Sequence, residues 1–346
     1  MSQFKSLSTP LQLRNKALHN RAVFGSHTAN IAEDGLPGER HSGYCEERAR
    51  HGDLMPSQFD ITHAADFLTA RGLGDGPYQI KKLAGGYWND VLKVSNPSGT
   101  YVVKCYRAVL KDSLFPNLPD AEAAALQRLS GLNVAPEPLA FWPDDGILVY
   151  GYVEGEGWQD DLIGMANLLR RKEAADPHGF RVVPITAEGI LTEGDALFAR
   201  CTMDKLYSAF QRGRPSPLAT PTPERLSLIH TDIGATNLIG HGEDLRLVDW
   251  QCPAMGDLAE DVYSFLSPAF QILNLCQPLS EAARRQFFDA LDMPRVKQRY
   301  HTLEQSFAYR MAGYCCLRYQ TVGDSDIAVR DRYIRAAEAE LERING

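Results

Sequence analysis

The sequence predicts an α+β chain in two lobes, a small sheet-rich one followed by a larger, mainly helical one. Residues 78–153 hold short β-like apolar runs around one helical segment, and after Glu154 the apolar spacing becomes mostly helical. The 346 residues, 44% hydrophobic and 23% charged, are enough for a substantial core and have the balance of a globular protein.

In chain order, residues 1–54 form a polar opening zone that ends in a charged, helix-like run from Gly38 to Gly52. The small lobe, residues 55–153, reads YQIKKL, DVLKVS and YVVKCY as strands, PDAEAAALQRLSGL as a helix, and PLAFW and GILVYGYV as two further strands. Gly85 and Gly86 fall between the first two runs, where the missing Cβ lets the backbone turn tightly and approach a phosphate. The same pair also suits an ordinary hairpin. In YVVKCY, alternation puts Val103 and Cys105 on one face and Val102 with Lys104 on the other. Glu122, near the start of the helix, gives Lys104 an acidic partner of the kind that orients a cation onto nucleotide phosphates, although it also fits as a first-turn helix charge.

The large lobe, residues 154–346, is helical in TEGDALFARCTMDKLYSAFQRG and from Glu281 to Glu342, with a β-like island between Leu226 and Asp249. Within the island the apolar run LSLI leads into His230, Asp232 and Asn237, spaced H-x-D-x-x-x-x-N. A hairpin-like NLIG and LRLVDW then delivers Asp249. Phosphoryl transfer asks for a carboxylate that takes or orients the proton of an attacking hydroxyl, and for a second carboxylate with an amide oxygen to hold Mg²⁺, a hard ion that prefers oxygen. Asp232 fits the first role, and Asn237 with Asp249 the second. His230 reads as a core histidine bonded to a backbone carbonyl, with an orienting role in the loop. Asp257 and Asp261, in GDLAED, read as helix cap and first-turn acid rather than as chemistry.

With these residues in place, the segment from Tyr78 to Phe265 resembles the aminoglycoside phosphotransferase and choline kinase-like family, relatives of protein kinases, and the likeness extends over about residues 70–346. Leu83, Gly85, Gly86 and Asn89 match the family's L-x-G-G-x-x-N glycine loop; Lys104 and Glu122 match its strand lysine and helix glutamate. His230, Asp232 and Asn237 match its catalytic loop and Asp249 its metal aspartate, while Gly256, Asp257 and Asp261 match G-D-x-x-x-D with Leu258 where proline is common. The resemblance implies a protein-kinase-like two-lobed fold that uses ATP and Mg²⁺ to phosphorylate a small-molecule alcohol. It also implies a hinge at Tyr150, Gly151, Tyr152 and Val153 that carries the adenine.

Composition excludes other classes. Asp and Glu total 44 against 36 Lys and Arg, a formal charge of −8 with no basic run, so no electrostatic footprint for nucleic acid exists. The seven cysteines include no CxxC pair and read as reduced thiols, and neither a signal peptide nor a membrane span is apparent, so a cytoplasmic location is expected. Residues 1–53 are similar to the opening of old yellow enzyme-type flavin oxidoreductases, with Asn20, Arg21, Gly35, Pro37, Arg40, His41, Tyr44 and Arg48 matching. The likeness ends near Gly52, far short of the roughly 250 residues of a (β/α)₈ barrel. A flavin-dependent oxidoreductase and a catalytically inactive, nucleotide-binding pseudokinase therefore stand as alternative functions. Nothing in the sequence identifies the phosphate acceptor, a preference for ATP over GTP, or the oligomeric state.

Overall fold

The computed structural model of the chain describes residues 11–13, 16–18, 61–73, 77–83, 89–107, 109–111, 113–202, 213–322 and 326–345. The chain divides into two compact units, Met1–Arg50 and His51–Gly346. In the first, strands β1 (Leu11–Leu13) and β2 (Lys16–Leu18) pair antiparallel. Most of the flavoenzyme-like zone, including the run from Gly38 to Gly52, lies outside the described residues.

The second unit opens with helix α1 (Ile61–Ala70) and an antiparallel sheet formed by β3 (Gln79–Lys82), β4 (Asn89–Asn96), β5 (Gly99–Tyr106), then, after helix α2 (Pro119–Leu129), β6 (Pro138–Trp142) and β7 (Ile147–Gly151). Its spatial order is β3-β4-β5-β7-β6. The strands form where the sequence carries β-branched and aromatic runs, and β4 turns into β5 because the Asn96 side chain accepts from Ser98 N and Gly99 N at 2.9 and 3.1 Å. Alternation along β5 sorts the faces as expected. Val103 and Cys105 join Ala64 and Leu68 of α1 in the outer core, while Val102 and Tyr106 belong to the core shared with α2. Both faces are covered, so Lys104 between them is buried at 1% exposure.

The larger lobe holds helices α3 (Leu162–Lys172) and α4 (Ala187–Phe198) and a small sheet in which β12 (Ala254–Gly256) pairs parallel to β8 (Arg181–Val182) and antiparallel to β9 (Ser227–Ile229). A hairpin of β10 (Leu238–Ile239) and β11 (Arg246–Leu247) stands between. Helices α5 (Leu258–Leu266), α6 (Pro268–Leu273), α7 (Glu281–Leu291), α8 (Pro294–Val322) and α9 (Ile327–Asn345) complete it. No described helix is long and apolar enough to cross a membrane.

The helical stretches differ in extent from the sequence pattern. The stretch expected from Thr192 to Gly213 begins earlier, at Ala187, and α4 ends at Phe198, with residues 203–212 outside the described residues. The long C-terminal stretch is three helices, broken first where Asp292 takes a left-handed φ of 48° ahead of Pro294. Helices α4 and α8 cross at glycine contacts: a Cβ on Gly194 would sit 2.7 Å from the Tyr309 ring, which no side chain there could tolerate.

Helix α9 docks through one buried carboxylate. Glu340, 0% exposed, accepts from the Ser267 hydroxyl and from Ala269 N at 3.1 Å, at the start of α6. Burial pushes its carboxyl up to about 7 from the usual 4.5, against these hydrogen bonds. Between those two pH values the folded chain holds a proton that the unfolded chain has released, so this group lowers stability as pH rises through that window and has no further effect above it. Glu340→Gln retains an accepting oxygen without the titration. Thermal unfolding should therefore show the variant gaining on the parent by about 2–3 kcal/mol between pH 5 and pH 8. Parallel curves would mean that Glu340 is ionised throughout.

Candidate active site

The cleft between the lobes gathers charged groups from both. Lys104 Nζ donates to Glu122 Oε2 on α2 at 2.6 Å and to Asp249 Oδ1, two residues past β11, at 2.5 Å. The Tyr106 hydroxyl also donates to Glu122. Lys104 and Glu122 are buried, whereas the Asp249 side chain is 37% exposed and opens the cluster toward the cleft. Burial works against the ammonium, but Asp249 and then Glu122 outweigh it and hold its pKa above the ordinary lysine value. Burial raises the Glu122 carboxyl, opposed by Lys104. The cation is thus the fixed charge of the cluster, and the carboxylates share it.

Below it, the H-x-D-x-x-x-x-N segment leaves β9. The His230 ring is fully buried, and burial lowers its pKa, so it is neutral. Its Nδ1 accepts from Asp232 N at 3.3 Å, which places the proton on Nε2, donating to the Val248 carbonyl at 3.1 Å. His230 therefore ties the loop bearing Asp232 to the strand delivering Asp249, and Trp250 packs edge-on against it at 4.7 Å. Asn237 Nδ2 donates to the Asp232 carbonyl at 3.0 Å, which leaves the amide oxygen as an available hard donor. Asp249 and Asn237 supply hard oxygen donors and fit Mg²⁺ by donor type. Burial, and after it Asp249, push the Asp232 carboxyl up to about 7.

Two backbone positions here lie in the left-handed region, Thr231 at φ 69° and Asp249 at φ 64°. Such positions cost on the order of 1–3 kcal/mol and persist only when their surroundings over-determine them. For Thr231 they do: its hydroxyl donates to the Cys252 carbonyl at 3.0 Å and its N–H to Asp261 Oδ1 at 3.0 Å.

Asp261 sits in the first turn of α5 as expected and also reaches beyond it. Asp257 does cap α5, accepting from Ala259 N at 2.9 Å and pairing with buried Arg299. Asp261 instead turns back to accept from His230 N and Thr231 N and pairs with Lys172 Nζ at 3.2 Å. Lys172, 0% exposed, also donates to the Leu228 carbonyl at 2.6 Å. It follows Arg170 and Arg171 in the last turn of α3, and nothing local in the sequence sets it apart from them.

Of the other sequence-derived residues, Gly85 and Gly86 lie outside the described residues. Asn89 is buried, its side chain engaged with Asn117 and Gln251. Tyr150 and Gly151 end β7 and Tyr152 and Val153 follow it; Gly151 N donates to Glu137 O at 2.8 Å and Tyr152 N to Thr100 O at 3.2 Å. Among the described residues there is no group of three or more His, Cys, Asp and Glu side chains that could hold a metal ion.

The model of a family described as a phosphotransferase enzyme family matches residues 79–302. No curated protein matches the chain. Among solved structures, a spectinomycin phosphotransferase in complex with ADP and spectinomycin is similar with a TM-score of 0.59 at 11% identity, covering 82% of this chain and 98% of its own. A choline/ethanolamine kinase family protein from Mesorhizobium loti has a TM-score of 0.59 at 16% identity, covering 81% and 94%. A choline kinase from Streptococcus pneumoniae has 0.58 at 14%, covering 81% and 98%. At these identities the likeness establishes the protein-kinase-like fold. None of these matches supports the flavoenzyme resemblance of the opening zone.

The buried Lys172–Asp261 pair gives a direct test of how the loop is held. Asp261→Ala leaves the buried ammonium with only the more distant Glu173 carboxylate, at 3.9 Å, and should cost up to about 3–5 kcal/mol in denaturant unfolding. Adding Lys172→Met should recover part of that loss; a double variant no more stable than the single one would show that the pair does not carry the loop.

Proposed function

Since the chain belongs to the phosphotransferase enzyme family, we propose that it transfers the γ-phosphoryl group of ATP to a hydroxyl of a small molecule in the cleft between its lobes. The observation that carries this reading is that Lys104, Glu122 and Asp249 form one ionic cluster while the Asp249 strand is tied through His230 to the loop of Asp232 and Asn237.

Lys104, oriented by Glu122, places its charge where the α- and β-phosphates would lie, and the hinge from Tyr150 to Val153 would receive the adenine. Asn237 and Asp249 would hold Mg²⁺, which when bound supplies charge neutralisation across the phosphates. Asp232 takes the proton of the acceptor hydroxyl as its oxygen bonds to the γ-phosphorus and the bond to the β–γ bridging oxygen breaks, with ADP leaving. A cation at Asp249 would also offset the negative charge that helps to keep Asp232 protonated. The presence of Lys104, Asp232, Asn237 and Asp249 together favours an active enzyme over a pseudokinase. Relatives of similar fold bear the names of spectinomycin and choline phosphorylation, which supports a small-molecule alcohol as the acceptor class.

Asp232→Asn should reduce turnover by about a hundredfold or more with Mg-ATP affinity nearly unchanged, because proton acceptance contributes about 10²–10⁴-fold. ADP release across a panel of small alcohols measures the first quantity and calorimetry the second. Asp249→Ala should instead abolish Mg²⁺-dependent ATP binding. Turnover retained in Asp232→Asn would remove the base from this reading, and unaltered Mg-ATP binding in Asp249→Ala would remove the metal ligand.

A further inference from the structure

Beside the ionic cluster lies a second, uncharged one. Asn89 and Asn117, 4% and 0% exposed, form a reciprocal amide pair: Asn89 Nδ2 donates to Asn117 Oδ1 at 3.1 Å, and Asn117 Nδ2 returns a hydrogen bond to Asn89 Oδ1 at 2.9 Å. Asn89 Nδ2 also donates to Gln251 Oε1 at 3.2 Å, and the Gln251 carbonyl accepts from Leu118 N at 3.0 Å.

These amides come from the strand paired with that of Lys104 and from the segments that lead into Glu122 and out of Asp249. Asn89 opens β4, whose Val91 is registered against Lys104. Asn117 and Leu118 lead directly into α2, the helix of Glu122. Gln251 stands two residues after Asp249. A shift of any one segment breaks hydrogen bonds to the buried amides of Asn89 and Asn117, which the half-buried Gln251 completes, and each buried polar group left unmatched carries a desolvation cost, so the cluster resists relative motion. Uncharged amides also suit a place beside one lysine and two carboxylates, since they fix geometry without adding to the local charge.

Resting on the phosphotransferase reading above, we propose that Asn117 and Gln251 are positioning residues that hold Asp249 in register with Lys104 and Glu122, and thereby set the affinity for Mg-ATP. They touch neither nucleotide nor acceptor. Their effect falls on the phosphate end of the nucleotide, where the three segments meet, and not on the adenine end at the hinge.

The test is calorimetry on the full chain with two probes, Mg-ATP and adenosine, alongside thermal unfolding. Gln251→Met keeps the shape and removes the accepting oxygen; it should weaken Mg-ATP about tenfold, the scale of one lost hydrogen bond, with adenosine affinity unchanged. Gln251→Glu restores the accepting oxygen but adds a charge beside the two carboxylates, so it should recover Mg-ATP affinity toward that of the parent only at high ionic strength, where that charge is screened. If Gln251→Met does not fold, Gln251→Asn, one methylene too short to reach Asn89, should show the same selective weakening. Equal Mg-ATP affinity in the folded variants, or equal weakening of both probes, overturns the inference while leaving the phosphotransferase reading intact. A parent chain that binds no Mg-ATP overturns both.

Discussion

One buried ammonium shared by two carboxylates organises this molecule. Lys104 comes from the sheet, Glu122 from the helix that follows it and Asp249 from the larger lobe, so their mutual attraction fixes three segments around one point. Taking these charges out of water is costly, and the cost is offset only if geometry and extra hydrogen bonds are good. The structure meets that condition with the Tyr106 hydroxyl on Glu122 and with a partly exposed Asp249. The same arrangement leaves one partly exposed carboxylate beside a cation whose charge is secure.

The loop of Asp232 and Asn237 depends on a separate set of supports. A neutral His230 joins the Asp232 loop to the strand of Asp249, Asp261 holds the backbone of His230 and Thr231, and Lys172 neutralises Asp261 from α3. Asn274, at the end of α6, accepts from Thr236 N at 3.2 Å, and α6 is in turn held by Glu340 of α9. The C-terminal helix therefore reaches the loop through two relays of buried hydrogen bonds. Such supports explain how Thr231, a β-branched residue, keeps a left-handed backbone conformation.

Much of this was legible in the sequence. The strand and helix order from Tyr78 to Val153 follows from alternation and local propensity, and the spacing of His230, Asp232, Asn237 and Asp249 marks the loop because the chemistry needs those oxygens at short range. What was hidden depends on tertiary contact. Lys172 has the appearance of a surface charge, Asp261 of a helix first-turn acid, and Asn117 and Gln251 of ordinary loop polar residues; each takes its role from a partner at least 28 residues away. Helix ends were blurred for the opposite reason, since the apolar spacing from Glu281 to Glu342 continues across a break that Pro294 marks and the left-handed backbone of Asp292 makes.

The ionic cluster is the point on which the account stands, and equilibrium binding of Mg-ATP to Lys104→Met tests it. The variant, shown to be folded by circular dichroism, should bind at least about tenfold more weakly than the parent, the scale of one charge-assisted hydrogen bond lost from the phosphates. Equal affinity would contradict the account, because it would mean that the ammonium at the centre of the cluster takes no part in holding the nucleotide.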